Sequence, residues 1–133
     1  MKLINGEKQM TDVWHLPAIA PWEKSCGKHP TQKPLALLSR IIMASTQQGE
    51  WILDPFCGSA TTGIAAKLLG RRFLGIDQEI NYIEMSKCRR EELENIQTLH
   101  KYRSKIKDIQ LMNSLFSSEL QENTDTIYGD LPF

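Results

Sequence analysis

The chain has 133 residues, of which 41% are hydrophobic and 24% charged, which suits one domain with one core. Sixteen basic and sixteen acidic residues cancel, so composition gives no general attraction to nucleic acid. We find no apolar stretch long enough to cross a membrane and no signal-peptide core, and therefore expect a cytoplasmic protein without a membrane partner. Because Cys26, Cys57 and Cys88 form no CxxC pair, we expect neither a metal site nor a disulfide.

The first part of the chain contains one clear helix and one clear strand. Residues 1–28 are predicted to be an irregular lead-in with one short strand at residues 13–16. Apolar residues at helical spacing predict a helix from Pro34, which suits the first helical position, to about Ser45. The apolar run at residues 51–53 then predicts a buried strand.

A glycine-containing turn leads from this strand into a second helix. That helix is predicted to begin at Thr61 or Thr62 and to end at Gly70, a natural left-handed C-terminal cap. Residues 72–77 are predicted to form a second strand. Strand, turn, helix and strand make one βαβ unit with neighbouring parallel strands, so the predicted class is α/β with a partial Rossmann-like fold.

The helical pattern that begins near Glu79 continues to Ile106, which is too long for the βαβ unit alone. We interpret it as a helix packed on the sheet to about Leu93, followed by a solvated or partner-binding helical extension. Two helices broken near His100 are an open alternative. The basic groups of this region are interpreted as solvated helix faces, since acidic residues interleave them.

The end of the chain is rich in serine, asparagine, glutamate and threonine, and we expect residues 113–133 to be loosely ordered apart from a candidate strand at residues 126–128. The predicted organisation is a lead-in (1–28), an α/β half-domain (29–93) and a helical extension with a tail (94–133).

The strongest motif is DPFCGSATTG, residues 54–63, at the junction of strand and helix. Gly58 allows a sharp turn, so that a ligand can approach the first N–H groups of the helix, where the helix dipole is positive. Asp77 ends the second strand, where a carboxylate can accept hydrogen bonds from ribose hydroxyls. Together these features imply a cofactor that contains adenosine.

A dinucleotide cofactor is the alternative for this turn. The segment GSATTG fits GxGxxG only if Ala60 replaces the second glycine, which a pyrophosphate needs for close approach. Ala60 therefore argues against a dinucleotide-binding oxidoreductase fragment. Many α/β proteins also form such a turn without any ligand.

Three further segments accompany the turn: DVWHLP at 12–17, HPTQKP at 29–34 and RRFLGID at 71–77. With DPFCGSATTG, they resemble the C-terminal part of bacterial DNA amino-methyltransferases of the N6-adenine and N4-cytosine type. The resemblance covers roughly residues 12–90. It implies S-adenosylmethionine as cofactor and transfer of its methyl group to an exocyclic base amine, with N6-adenine favoured, on duplex DNA bound by the complete enzyme.

The resemblance also implies the residues that contact the cofactor. Those of the turn would surround the methionine end, Asp77 would hold the ribose, and those of HPTQKP would close over the methionyl group. Phe56 has a core position as its alternative, and Lys33 a solvated one. The family usually has glycine at position 60, so Ala60 is expected to weaken affinity without loss of the fold. The implied set is His29, Thr31, Lys33, Asp54, Phe56, Gly58, Ser59, Thr61, Thr62 and Asp77.

The catalytic motif of the resembled family, Asp/Asn/Ser-Pro-Pro-aromatic, does not occur before HPTQKP. Residues 130–133, DLPF, are a near match in which leucine replaces the first proline, and we interpret them as a frayed tail. We therefore expect no catalytic residue here and no activity from the chain alone. The expected partner is a complementary methyltransferase polypeptide or a second copy; the alternative function is a cofactor-binding or interaction module without catalysis.

Overall fold

The computed structural model describes residues 8–114 of the chain. In the described part, no helix combines the length and apolar character needed to cross a membrane. The final helix of this described range, α5, comprises residues 107–114. The preceding elements are a 3-10 helix (Pro21–Lys24), α1 (Leu35–Ser45), β1 (Trp51–Asp54), α2 (Thr61–Leu68), β2 (Arg72–Gly75), α3 (Ile80–Glu92) and α4 (Ile96–Arg103).

The strands β1 and β2 form a parallel pair connected through α2. Trp51 lies opposite Arg72, and Asp54 lies opposite Gly75. Gly70 adopts a φ of +71° just after α2, the left-handed conformation expected for a residue that ends a helix. The predicted α/β class and its parallel βαβ unit are therefore confirmed.

The two faces of this small sheet have different environments. Ile52 and Phe73 pack against the hydrophobic core, whereas Trp51, Leu53 and Leu74 are 66%, 62% and 55% exposed. The prediction of a buried β1 strand is therefore wrong. Side chains alternate between the two faces of a strand, and only one face of this sheet meets the described core.

The core lies between α1, α2 and the C-terminal helices. Leu93, Tyr102, Ile106 and Ile109 are all buried in it. The interpretation of this region as a solvated or partner-binding extension is therefore wrong, because its apolar residues pack on the chain's own helices. The members of the core are Leu35, Ile42, Ile64, Ala65, Ala66, Leu68, Leu69, Leu93, Tyr102, Ile106 and Ile109.

The helix breaks also differ from both predictions. His100 lies inside α4, and the chain leaves helical conformation at residues 93–95 and again at 104–106. Asn95 begins α4 because its side-chain oxygen accepts hydrogen bonds from the N–H groups of Gln97 and Thr98, at 2.9 and 3.2 Å. These turns allow three shorter helices to fold back over the core.

Two arginines attach the C-terminal helices to the rest of the molecule. Arg40 of α1 donates hydrogen bonds of 2.6 and 2.8 Å to the two carboxylate oxygens of Asp108. Arg103 of α4 donates to the carbonyl of Leu68 at the end of α2, at 2.8 Å. Both contacts provide hydrogen-bond partners for polar groups that would otherwise be left unpaired when the helices pack.

The lead-in contains no strand at residues 13–16, and its only regular element among the residues described is the 3-10 helix. Glu23 of that helix is 5% exposed. Its carboxylate accepts hydrogen bonds from the N–H groups of Leu35 (2.8 Å) and Ala20 (3.1 Å). Glu23 therefore caps α1, and Pro34 precedes the helix rather than occupying its first position.

A disulfide between Cys26 and Cys88 joins the lead-in to α3, with the two Cα atoms 6.0 Å apart. The expectation of no disulfide is therefore wrong. The two cysteines are separated by 62 positions, and only the packing of the lead-in on α3 brings them together. The two sulfurs and a Glu92 oxygen lie within 4.8 Å of one another, a grouping that can hold a metal ion, although here the sulfurs are bonded to each other.

Two predictions fall wholly outside the described residues, namely the strand at 126–128 and the DLPF tail, whereas residues 113 and 114 of the segment predicted to be loosely ordered belong to α5. The boundaries proposed at residues 28 and 93 stay predictions.

Candidate functional site

The turn after β1 is closed by its own side chains. Asp54 accepts a 2.6 Å hydrogen bond from the hydroxyl of Thr62 through one carboxylate oxygen and a 3.2 Å bond from the N–H of Phe56 through the other. The first residue of the motif is thereby connected to the first turn of α2. The motif thus folds as a closed loop with a defined shape.

Gly58 is the point at which the HPTQKP segment meets this loop. Its φ is +51°, and a Cβ atom at this position would lie 2.9 Å from Nε2 of His29. The His29 ring is held by two contacts, since its Nδ1 accepts a hydrogen bond from the N–H of Thr31 and its centroid lies 4.1 Å from that of the tilted Tyr82 ring. Only glycine at position 58 combines this conformation with this close contact.

Asp77 links the end of the second strand to the same glycine. One carboxylate oxygen accepts a 2.8 Å hydrogen bond from the N–H of Gly58, and the other accepts a 2.9 Å bond from the N–H of Glu79. The bonds from Glu79 and Gly58 lower the pKa of Asp77 below its ordinary value. Asp77 is therefore a carboxylate at neutral pH, and it fixes the position of the turn.

A cavity of about 170 Å³ lies between the loop and the HPTQKP segment. Nine of the ten predicted cofactor-binding residues line it, and the tenth, Asp77, is hydrogen-bonded to Gly58, which lines it. Phe56 is 86% exposed, so its core alternative is wrong. The predicted residues on the cavity are His29, Thr31, Lys33, Asp54, Phe56, Gly58, Ser59, Thr61 and Thr62.

Gln32, which the sequence analysis did not select, also lines the cavity. Its side chain is 7% exposed, and its Nε2 donates a 2.9 Å hydrogen bond to the carbonyl of Glu23. Its Oε1 is one of two buried side-chain polar atoms in residues 8–114 that have no hydrogen-bond partner. The sequence could have indicated Gln32, because it lies in HPTQKP between Thr31 and Lys33, which were predicted to contact the cofactor.

The N-terminus of α2 opens beside the cavity. Ala60 precedes the helix in the left-handed conformation, with φ 54° and ψ 39°, and it has no polar side chain to cap the helix. The N–H groups of the first turn have no acceptor within the helix. This end of α2 therefore presents hydrogen-bond donors and the positive end of the helix dipole.

Arg89 supports this turn from α3, although its segment was interpreted as a solvated face. It is 4% exposed, and its Nη1 contacts the carbonyl of Ser59 at 2.6 Å, the Ser59 hydroxyl at 3.2 Å and the Thr61 hydroxyl at 3.1 Å. The solvated interpretation is wrong for this residue. Met85 and Leu93, four positions away on either side, indicated that Arg89 lies on the apolar side of the helix.

The loop shows no activated nucleophile. Cys57 is a free, buried cysteine, and burial, followed by the charges of Asp77 and Asp54, raises the pKa of its thiol. It is therefore present as the neutral thiol.

A second groove, of about 370 Å³, lies between α2, β2 and α3. Its walls include Gly63, Phe73, Ile83 and Leu93, and none of the ten predicted residues lines it. The smaller cavity is therefore the candidate site, since the glycine turn, the helix N-terminus and the HPTQKP segment meet there.

Several known proteins are similar to this chain. It is 60% identical over 93 residues to the Type II methyltransferase M2.MboI of Moraxella bovis, which covers 70% of this chain and 34% of that protein. It is 57% identical over 91 residues to the Type II methyltransferase M2.DpnII of Streptococcus pneumoniae, covering 68% and 34%. The chain thus spans about a third of the length of these relatives.

A solved structure described as the crystal structure of the M1.HpyAVI-SAM complex is also similar, with 48% identity and a TM-score of 0.45. The similarity covers 47% of this chain and 33% of that one. Residues 2–88 match the family N6_N4_Mtase, described as DNA methylase. Because this match covers well over half of its residues, the chain belongs to the N6_N4_Mtase family of DNA methylases.

Proposed function

We propose that this chain is the S-adenosylmethionine-binding portion of a DNA amino-methyltransferase. The observation that carries the proposal is that two separate motif segments, residues 29–33 and 54–62, line one cavity. Formation of the βαβ unit does not by itself require residues 29–33 to meet residues 54–62. Their convergence therefore supports a binding role.

The polar groups around the cavity fit the methionine end of this cofactor, which carries both a carboxylate and an ammonium group. The carboxylate suits the uncapped N-terminus of α2 and the exposed cation of Lys33. The ammonium suits the buried Gln32 Oε1, which has no partner within the described chain. When bound, the cofactor supplies an electrophilic methyl group.

Asp77 is proposed to receive the ribose hydroxyls. Each of its carboxylate oxygens accepts one backbone hydrogen bond and retains a further lone pair. Its lowered pKa keeps it ionised, so both oxygens remain hydrogen-bond acceptors for hydroxyl donors. Because Asp77 is hydrogen-bonded to Gly58, the proposed ribose-binding residue is held directly beside the loop that is proposed to bind the methionine end.

The dinucleotide alternative is tested by direct competition. We expect S-adenosylmethionine to bind saturably in equilibrium dialysis and a nicotinamide dinucleotide not to displace it, since Ala60 occupies the position where a pyrophosphate needs glycine. Asp77→Ala should abolish binding, and Asp12→Ala, a carboxylate in the irregular lead-in, should not. Tighter binding of the dinucleotide would favour the oxidoreductase alternative.

Methyl transfer is proposed to require another polypeptide. The described loop binds a methyl donor, but the sequence holds no Asp/Asn/Ser-Pro-Pro-aromatic tetrapeptide to hold a flipped base. The methyl donor, base amine and its acceptor must be held together for reaction. We propose that the complete enzyme acts on duplex DNA in restriction and modification, with N6-adenine as the favoured target.

A radiolabelled methyl-transfer assay tests this arrangement. These 133 residues should give background transfer to duplex DNA, and activity should appear when a polypeptide with the catalytic and recognition parts is added. Activity from the chain alone, lost on Asp130→Ala, would instead identify DLPF as a catalytic motif. If the cofactor binds but the mixture stays inactive, the alternative of a binding module without catalysis is favoured.

The exposed face of the sheet is the proposed contact for that polypeptide. Trp51, Leu53, Leu74 and Ile76 are each more than half exposed, and contiguous apolar surface of this kind is usually covered by a partner. Leu53→Asp should prevent association, whereas Ile96→Asp, an exposed apolar residue on α4, should not. Association of the chain with itself in light scattering, also lost in Leu53→Asp, would identify a second copy as the partner.

A further inference from the structure

We propose that Arg89 is a positioning residue that holds the strained turn at Ala60 in its binding conformation. This inference rests on the proposed cofactor site. It concerns the support of the turn rather than a contact with the ligand. Arg89 is buried, and it is absent from the residues that line the cavity.

Ala60 is the strained point of the turn. In residues 8–114 it is the only residue other than glycine with a positive φ, at 54°. An alanine in this conformation places its Cβ too close to the following carbonyl, a strain that corresponds to roughly a tenfold bias against the conformation. Something in the surrounding structure must offset this preference.

Arg89 contacts the residues on both sides of Ala60. Its Nη1 lies 2.6 Å from the Ser59 carbonyl and 3.1 Å from the Thr61 hydroxyl, so a single nitrogen bridges the strained residue. The positions of both neighbours are fixed relative to α3. Relaxation of Ala60 toward an ordinary φ would break at least one of these hydrogen bonds.

The buried guanidinium of Arg89 also depends on the turn, which supplies its hydrogen-bond acceptors. Burial lowers the pKa of Arg89, and electrostatic interactions with Tyr102, Glu23 and Glu92 offset part of that effect. The hydrogen bonds from Nη1 go to neutral oxygens of the turn. Loss of the turn geometry would therefore leave a buried cation with fewer acceptors, which is unfavourable.

The link to binding is direct, because Ser59 and Thr61 line the cavity and the N–H groups of α2 begin at Thr61. A relaxed Ala60 would redirect these groups. The turn of this chain, with alanine where the resembled family usually has glycine, therefore requires an arginine on α3 for full affinity.

The test compares Arg89→Met with Arg90→Met, whose arginine is adjacent and 78% exposed. By calorimetry, Arg89→Met should weaken S-adenosylmethionine binding by about tenfold or more, and Arg90→Met should not change it. Ala60→Gly removes the strain, so the double variant Ala60→Gly with Arg89→Met should recover most of the affinity. A purely structural loss of the buried charge would not be rescued by glycine.

Amide hydrogen exchange at Ser59 and Thr61 provides a readout without ligand. Exchange should accelerate in Arg89→Met and return toward the wild-type rate in the double variant. If Arg89→Met does not fold, Arg89→Lys, which keeps the charge but not the planar fork, replaces it in both measurements.

Unchanged exchange and affinity in Arg89→Met, or a loss that Ala60→Gly does not rescue, would overturn the proposal. If the wild-type chain binds no S-adenosylmethionine while exchange follows the predicted pattern, the proposed function fails and the support of the turn by Arg89 stands.

Discussion

The turn around Gly58 and the C-terminal helices have different roles in the molecule. The turn is a small, polar and partly exposed loop whose residues are constrained by backbone contacts, such as those of Asp77 and the His29 ring with Gly58. The C-terminal helices have no recognisable motif, yet they supply Tyr102, Ile106 and Ile109 to the core. Binding chemistry and stability therefore reside in different segments, and substitutions should separate them.

The largest effect should come from Ile109→Ala. Ile109 is 1% exposed, and truncation of such a side chain leaves a cavity that lowers the free energy of unfolding by about 2–5 kcal/mol. Ile96→Ala is the control, since Ile96 is 67% exposed on the neighbouring helix and should change stability by less than about 0.5 kcal/mol. Equal unfolding midpoints in urea for both variants would show that α5 is not part of the core.

Removal of the disulfide should produce the next largest effect. Cys26→Ser frees the lead-in from α3 and should lower the free energy of unfolding by about 2–4 kcal/mol, because the unfolded chain gains freedom. A thiol reductant should reproduce this effect in the wild type. The Cys57→Ser variant, which lacks the free cysteine, should remain as sensitive to reductant as the wild type. A wild-type chain whose unfolding midpoint ignores reductant contradicts the cross-link.

The ion pair between α1 and α5 should contribute less. Asp108→Asn should lower the free energy of unfolding by about 1–3 kcal/mol, because Asp108 has a side chain that is 7% exposed and accepts two bonds from Arg40. The matched control is Glu84→Gln, which breaks an exposed pair with Lys87 and should cost less than about 0.5 kcal/mol. If both changes have the same small effect, the attachment of α5 to α1 is not energetically important.

The smallest effect is the acid dependence of the turn. The pKa of Asp77 is lowered in the folded state, so its contribution to stability is fully present above the ordinary pKa of 3.8 and is lost as pH falls through the lower folded pKa. Asp77→Asn should flatten this part of the pH profile of unfolding. A variant profile that still declines as steeply as the wild type below pH 3.8 would show that another carboxylate is responsible.

The contrast between the two regions also explains what the sequence could predict. The βαβ unit and the glycine turn follow from local patterns, since a turn and a helix start are encoded by neighbouring residues. The nine residues on the cavity were instead implied by the resemblance of two motif segments to a known family. The contacts of Arg89 with Ser59 and Thr61, the Glu23 cap on α1 and the disulfide depend on which segments pack together. Local periodicity does not reveal such contacts. In α4, the charged residues on the exposed side also made the buried side difficult to recognise from the sequence.

The measurement that tests the central claim most directly is a calorimetric titration of S-adenosylmethionine into two glycine variants. Gly58 and Gly49 both have positive φ values, but an added Cβ would meet His29 at position 58 and no atom within 4 Å at position 49. We expect saturable binding to the wild type and to Gly49→Ala, and a loss of binding in Gly58→Ala. Absence of binding to the wild type, or equal binding to both variants, would contradict a cofactor site at this turn.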